Sequence, residues 1–174
     1  MLMRYRRNGF TLIELVVLIA VLALALTGVT LAINRVVQQS PRALVQTRAV
    51  ELAQAYLEEI LQKRFDQHTG QGGIPRCDST DNNAQACSNS LGPDSETRNW
   101  FNDVDDYNGI NDQPPLTATG TTLNQYQDYR VQVTVTYAGN ELGYTDNRHA
   151  KRITVSVTTP LGNVIPVSAY RVNF

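Results

Sequence analysis

The sequence predicts an α+β protein in which one long N-terminal helix packs against a C-terminal antiparallel sheet. Two observations predict the helix: an apolar run over residues 10–33 and amphipathic spacing over residues 34–66. A third predicts the sheet, because apolar and polar residues alternate over residues 126–174. Residues 67–125 are rich in Gly, Pro, Asn, Asp and Ser, which predicts loops between the two.

The first part of the chain is a basic head followed by an apolar segment. Residues 1–9 carry Arg4, Arg6 and Arg7 and no acid, and Glu14 is the only charged residue in residues 10–33. As a helix rising ~1.5 Å per residue, this segment is long enough to cross a hydrocarbon layer of ~30 Å. Because arginines favour the cytoplasmic side, we expect the rest of the chain on the other side of the membrane. No small-residue cleavage pattern follows the apolar run, so we expect the anchor to be retained.

Glu14 is not explained by a simple anchor. A charged side chain inside a bilayer costs about 2.5–3.5 kcal/mol, and such residues are usually paired and functional. The helix dipole offsets only about 0.3–1 kcal/mol of this cost near a helix N-terminus. Residues 10–33 contain no cation, but cleavage after Gly9 would create an α-amino group that could pair with Glu14.

The string "RRNG" followed by "FTLIELVV" resembles the N-terminus of type IV prepilins. In that family a short basic leader ends in Gly, and the mature chain carries an acid as its fifth residue. The resemblance implies that a prepilin peptidase cuts between Gly9 and Phe10 and that the same enzyme class methylates the amine of Phe10. It also implies that Glu14 neutralises the N-terminal amine of a neighbouring subunit during assembly.

The amphipathic segment, residues 34–66, predicts the helix face on which a globular domain packs. Its apolar face is formed by Ala49, Ala53, Tyr56, Leu57, Ile60, Leu61 and Phe65. Pro41 lacks a backbone donor, so we expect a kink or an interruption there.

Three alternating runs predict an antiparallel meander at the C-terminus. Val131, Val133 and Val135 alternate with polar residues in the first run, and Ile153, Val155 and Val157 do so in the second. The third run contains Pro166, which favours an edge position or a bulge.

Cys77 and Cys87 lie close together in the loop-rich segment without the further Cys or His pair that a zinc site requires. In an exported protein they predict one disulfide, and the alternative is two free thiols in a cytosolic protein. Without its basic head the chain has 15 − 3 = 12 basic and 16 acidic residues, a net charge of −4. This mildly acidic balance gives no support for nucleic-acid binding.

The loop-rich segment also holds acidic and aromatic residues. Asp103, Asp105 and Asp106 suggest a calcium site, because carboxylate oxygens are calcium ligands, but their spacing does not match an EF-hand. The alternative is a solvated acidic turn. Trp100 and Phe101 are expected to hold the segment on the domain, and the alternative is an exposed aromatic contact patch.

The sequence offers no catalytic motif. His68 and His149 stand without a partnered acid at a recognisable spacing, and P-loop, HExxH and CxxC patterns are missing. We therefore expect a protein that is not an enzyme and needs no cofactor apart from the suggested calcium.

A second resemblance covers several short stretches: "RAVELAQAYLEEILQKRFD", "GGIPRC" and "NDVDDYNGI" are similar to the MshD-type minor pilins of the mannose-sensitive haemagglutinin (MSHA) pilus. It implies a minor pilin in pilus biogenesis, with major and minor pilins, the prepilin peptidase and an inner-membrane assembly platform as partners. The chain would span the inner membrane once, place its domain in the periplasm, and then enter the filament. Two alternatives remain: a minor pseudopilin of a type II secretion system, and a membrane-anchored periplasmic enzyme or receptor.

Overall fold

The structure, a computed structural model, describes Gly9 and residues 11–173, without the side chains of residues 36–40. The leader before Gly9 and the predicted new N-terminus at Phe10 lie outside the described residues. The described chain divides into two compact units, one ending at Leu44 and the other beginning at Val45.

One helix, α1, runs from Leu12 to Leu61, and Pro41 lies inside it. Of the kink or interruption expected at Pro41, the interruption is wrong, because the helix continues through this residue, and the kink stays a prediction. Proline removes a single backbone donor, and the residues after it (Arg42, Ala43 and Leu44) are strong helix formers.

The helix ends at Leu61, although the amphipathic pattern predicts helix as far as residue 66. The backbone of Arg64 is used elsewhere, because its N–H donates to the Asn102 carbonyl (3.4 Å) and its own carbonyl accepts from the Val104 N–H (3.0 Å). This short parallel pairing fixes the end of α1 beside the loop-rich segment.

Four strands form one antiparallel sheet in the order β1-β2-β3-β4. They are β1 (Asn111–Asp112), β2 (Arg130–Tyr137), β3 (Ala150–Thr158) and β4 (Val164–Val172). Val155 pairs with Val133 on one side and with Val167 on the other, which sets the apolar register. Pro166 lies in the edge strand β4, where a missing backbone donor does least harm.

The core of the second unit lies between the C-terminal part of α1 and one face of the sheet, which confirms the predicted α+β arrangement. The buried helix residues are Ala49, Leu52, Ala53, Tyr56, Leu57 and Ile60, and the buried strand residues include Val131, Val133, Val135, Ile153, Val155 and Val157. Leu61 of the predicted face is only partly buried. Phe65 is buried beyond the helix, in a second cluster with Cys77 and Cys87.

The loop-rich segment contributes strand β1 and several 3-10 turns, and it packs on the core through few side chains. The 3-10 turns among the described residues are Gln71–Gly73, Arg98–Trp100, Asp105–Tyr107, Asn124–Tyr126, Gly139–Leu142 and Asn147–His149. Phe101 meets the buried ring of Tyr107 edge-on, with centroids 5.1 Å apart, as expected for a residue that holds the segment down. Trp100 is 73% exposed, so the same expectation is wrong for Trp100.

Candidate functional site

The N-terminus of α1 is capped by Thr11. The Glu14 N–H donates to Thr11 Oγ1 (3.3 Å), and the Leu15 N–H donates to the Thr11 carbonyl (3.2 Å). Thr11 and Glu14 have the spacing of a capping box, in which an N-cap hydroxyl is followed three residues later by an acid. Reasoning from the sequence missed this contact, although the T-x-x-E spacing is a readable signal. Glu14 therefore stands in the first helical turn, where the helix dipole favours an acid.

The helix that follows is apolar and uncovered. Leu12–Arg35 is 24 residues long, which is sufficient to cross a membrane, and its side chains are exposed. An apolar surface of this size needs a bilayer or other helices to cover it. Thr27 and Thr30 turn their hydroxyls back to the carbonyls of Ala23 (2.7 Å) and Leu26 (2.8 Å), so these polar groups are satisfied within the helix.

Glu14 is itself exposed and forms no ion pair with any residue that the structure describes. The nearest cation after it in the chain is Arg35, which is 21 residues away along the same helix. Residues 11–34 therefore supply no cation that could neutralise Glu14 at its own level.

The N-terminal region matches a family model described as the prokaryotic N-terminal methylation motif, over residues 4–30. Neither a curated protein nor a solved structure matches the chain.

The motif and the apolar helix together support a type IV prepilin-like protein, a class that covers both pilins and pseudopilins. The motif implies processing by a prepilin peptidase and use of pilin assembly machinery. The motif is typical of structural proteins, and the exposed helix is consistent with a single-pass inner-membrane anchor.

The second unit contains the predicted disulfide, which joins Cys77 to Cys87. Both cysteines are buried against Phe65, and the Asn173 side-chain amide donates to the Cys77 carbonyl (3.0 Å). This hydrogen bond from Asn173 links the disulfide loop to the end of β4. Asp66 lies close to both sulfurs, but disulfide sulfurs are not thiolates and supply no metal-binding charge.

The three aspartates suggested as calcium ligands are buried and not solvated. Asp103 Oδ1 accepts the backbone N–H groups of Asp105 (2.7 Å) and Asp106 (3.4 Å). Asp106 Oδ2 accepts those of Asn102 (2.8 Å) and Asp103 (3.1 Å). Two of the carboxylates thus stabilise the backbone of the 3-10 turn. Calcium binding here stays a prediction that the geometry does not favour.

Lys151 and Asp66 form an ionic cluster with Asp105 that reasoning from the sequence missed. The Lys151 Nζ lies 2.6 Å from Asp105 Oδ1 and 3.5 Å from Asp66 Oδ2, and all three side chains are almost completely buried. A signal for Lys151 existed, because it precedes Ile153 by two residues and so belongs to the inward face of β3. Asp66 follows α1 in a polar loop, where no pattern of burial marks it.

Burial and hydrogen bonding shift the pKa values of the neighbouring acids in opposite directions. Burial would raise the pKa of Asp66, but donors from His68 and Ser88 and the Lys151 ammonium together hold that pKa below its usual value. Burial raises the pKa of Asp105 to about 7, against the opposing effect of Lys151. Burial and the neighbouring Asp106 raise the pKa of Asp103 to about 6.

The expectation that His68 lacks an acidic partner is wrong, since its Nδ1 lies 3.6 Å from Asp66 Oδ1. The same carboxylate accepts the Ser88 hydroxyl (3.1 Å) and the N–H groups of Ser88 and His68 (both 2.9 Å). The hydroxyl thus donates to the acid, whereas a nucleophilic serine would donate to the imidazole. The arrangement ties two loops together and does not form a hydrolytic site.

Proposed function

We propose that this chain is a minor type IV pilin of the MSHA type, which takes part in pilus assembly through its apolar N-terminal helix. The observation that carries the proposal is the uncovered helix Leu12–Arg35 with one acid in its first turn. A bilayer covers the apolar surface but leaves Glu14 unpaired. A bundle of such helices covers the apolar surface and also brings a partner for the Glu14 charge.

The N-terminal geometry supplies the assembly step. Cleavage after Gly9 places a new amine on Phe10, four residues before Glu14. As helices come together, Glu14 of one subunit pairs with the amine of the next, and two buried charges neutralise each other. The domain that begins at Val45 stays in the periplasm until the subunit enters the filament.

The "minor" and MSHA assignments rest on the similarity of the stretches 48–66, 72–77 and 102–110 to the minor pilins of that pilus. These stretches build the end of α1, the disulfide loop and the acidic turn. They belong to the part of the molecule that distinguishes one pilin from another, since the N-terminal helix is shared by the whole class.

The test is to delete the gene, restore it with the parent or with Glu14→Val, and measure both surface piliation and type II secretion. We expect the parent to restore pili and to occur in the sheared pilus fraction at low abundance relative to the major pilin. Leu22→Val is the matched control, since it alters an exposed apolar residue of the same helix without changing charge. Normal pili with a secretion defect would overturn the proposal in favour of a pseudopilin.

A further inference from the structure

Lys151 is a fully buried amine held between aromatic rings. It lies on β3, its Nζ is 4.1 Å from the ring centroid of Phe65 and 5.5 Å from that of Tyr137, and it donates to the Phe65 carbonyl (2.7 Å). The side chain has no exposed surface. Water therefore has little access to this amine, and its position is fixed from several sides.

Asp105 differs from three other buried acids of the second unit. The carboxylates of Asp66, Asp103 and Asp106 all accept hydrogen bonds from backbone N–H groups. Asp105 accepts no backbone hydrogen bond, and its buried carboxylate is paired instead with Lys151, whose Nζ lies 2.6 Å from Oδ1. A buried carboxylate whose charge is balanced by a single ammonium, without backbone donors, is costly.

Asp66 completes the arrangement as a carboxylate on the other side of the amine. Its Oδ2 is 3.5 Å from Lys151 Nζ, and its negative charge is already stabilised by the His68 N–H and by both donors of Ser88. Asp66 can therefore remain ionised without the lysine, and it lies close enough to take a proton from it.

We propose that Lys151 and Asp105 condense into an intramolecular isopeptide bond, with Asp66 transferring the proton. The ammonium first gives one proton to the Asp105 carboxylate, which produces a neutral amine beside a neutral carboxylic acid. The Nζ lone pair then attacks Asp105 Cγ, and Asp66 accepts the second proton from nitrogen. That proton passes to the departing hydroxyl, so that one C–N bond forms, one C–O bond breaks and one water leaves. No oxidant, metal or co-substrate is consumed, and Asp66 ends as it began.

Two physical effects favour this condensation in the folded domain. Groups held in contact react with effective molarities of roughly 10⁵–10⁸ M. This advantage offsets the unfavourable equilibrium of a condensation reaction in aqueous solvent. The reaction also replaces a buried ammonium and a buried carboxylate by one neutral amide, which removes the desolvation cost of both charges.

The bond would connect strand β3 covalently to the 3-10 turn Asp105–Tyr107 of the loop-rich segment. Together with the Cys77–Cys87 disulfide, it would give the second unit two covalent links that survive when hydrogen bonds break. The inference depends only on the second unit, so it stands or falls independently of the proposed function.

Tryptic peptide mapping of the full chain, extracted from membranes, tests the proposal. The chain has two lysines, Lys63 and Lys151, which makes the branch point unambiguous. We expect trypsin to fail at Lys151 and to release a branched product in which residues 149–152 are joined to residues 99–130. This product should be lighter than the sum of its two peptides by one water, with fragment ions that place the branch at Asp105.

Three outcomes would overturn it: cleavage after Lys151 in most molecules, attachment to residues 65–76 through Asp66, or a branch at Asp103 or Asp106. Lys63→Arg is the matched control and should keep the branched peptide in full, because Lys63 only donates to the Phe101 carbonyl. Asp66→Asn should reduce the branched fraction at least tenfold. Unchanged branching in that variant would overturn the role given to Asp66. The map of the parent protein decides the central point even if a variant fails to fold.

Discussion

Replacing Glu14 by Val separates membrane insertion from assembly. The Thr11 cap uses the backbone N–H of residue 14, not its carboxylate, so the substitution leaves the start of α1 intact. Insertion should become easier, because a cost of about 2.5–3.5 kcal/mol disappears. Cleavage after Gly9 should persist, since it depends on the leader and the glycine.

Incorporation into filaments should fail in the same variant. Glu14 is the only acid in residues 11–34, so in the variant the buried amine of a neighbouring subunit loses its only counter-charge at that level. An unpaired buried charge costs roughly 3–5 kcal/mol. At about 1.4 kcal/mol per factor of ten, this predicts a loss of incorporation of at least about 100-fold.

The assay compares cross-linking to partner pilins, and the amount of protein in the sheared pilus fraction, at matched membrane levels. Thr11→Val is the control for the helix terminus, because it removes a cap worth about 1 kcal/mol and keeps the acid. Equal incorporation of the parent and Glu14→Val would refute the pairing, and the acid would then have no explanation in this account.

Three further predictions concern the second unit and are measured by denaturant unfolding of the full chain in detergent. Cys87→Ser should lower the free energy of unfolding by about 3 kcal/mol, since it opens a short covalent loop, and an unchanged value would contradict this. Leu52→Ala should cost about 2–5 kcal/mol because Leu52 is buried against the sheet, whereas the exposed Leu44→Ala should cost little. For Asp103, whose pKa rises from 3.8 to about 6, the native state binds the extra proton, so stability should fall as pH rises from about 4 through 6. Asp103→Asn should reduce this slope between about pH 4 and 6, and an unchanged slope would assign the titration to another group, such as Asp105.

The spacing of apolar residues was sufficient to predict the elements that bury one face against the core. The alternation of Val131, Val133 and Val135 places a strand on the core, as observed, and the spacing of Ala49, Ala53 and Tyr56 identifies the packed helix face. Such patterns are readable because each element must bury one face, and the face recurs at a fixed interval.

The features that the sequence did not reveal depend on contacts between distant segments. Helix α1 stops at Leu61 because the backbone of Arg64 pairs with residues 102–104, and the amphipathic pattern contains no information about that partner. The cluster of Lys151, Asp66 and Asp105 draws on β3 and two separate loops, so composition alone indicated only a polar turn. The N-terminal cap, in contrast, can be predicted from the sequence, because Thr11 and Glu14 lie within one helical turn and their contact is local.

The mass of the N-terminal peptide of membrane-extracted protein, from cells with active prepilin peptidase, tests the central claim most directly. If the chain is a processed type IV prepilin, residues 1–9 are absent and the first residue is Phe10 with a methylated amine. A chain that still begins at Met1 in those cells would contradict the account.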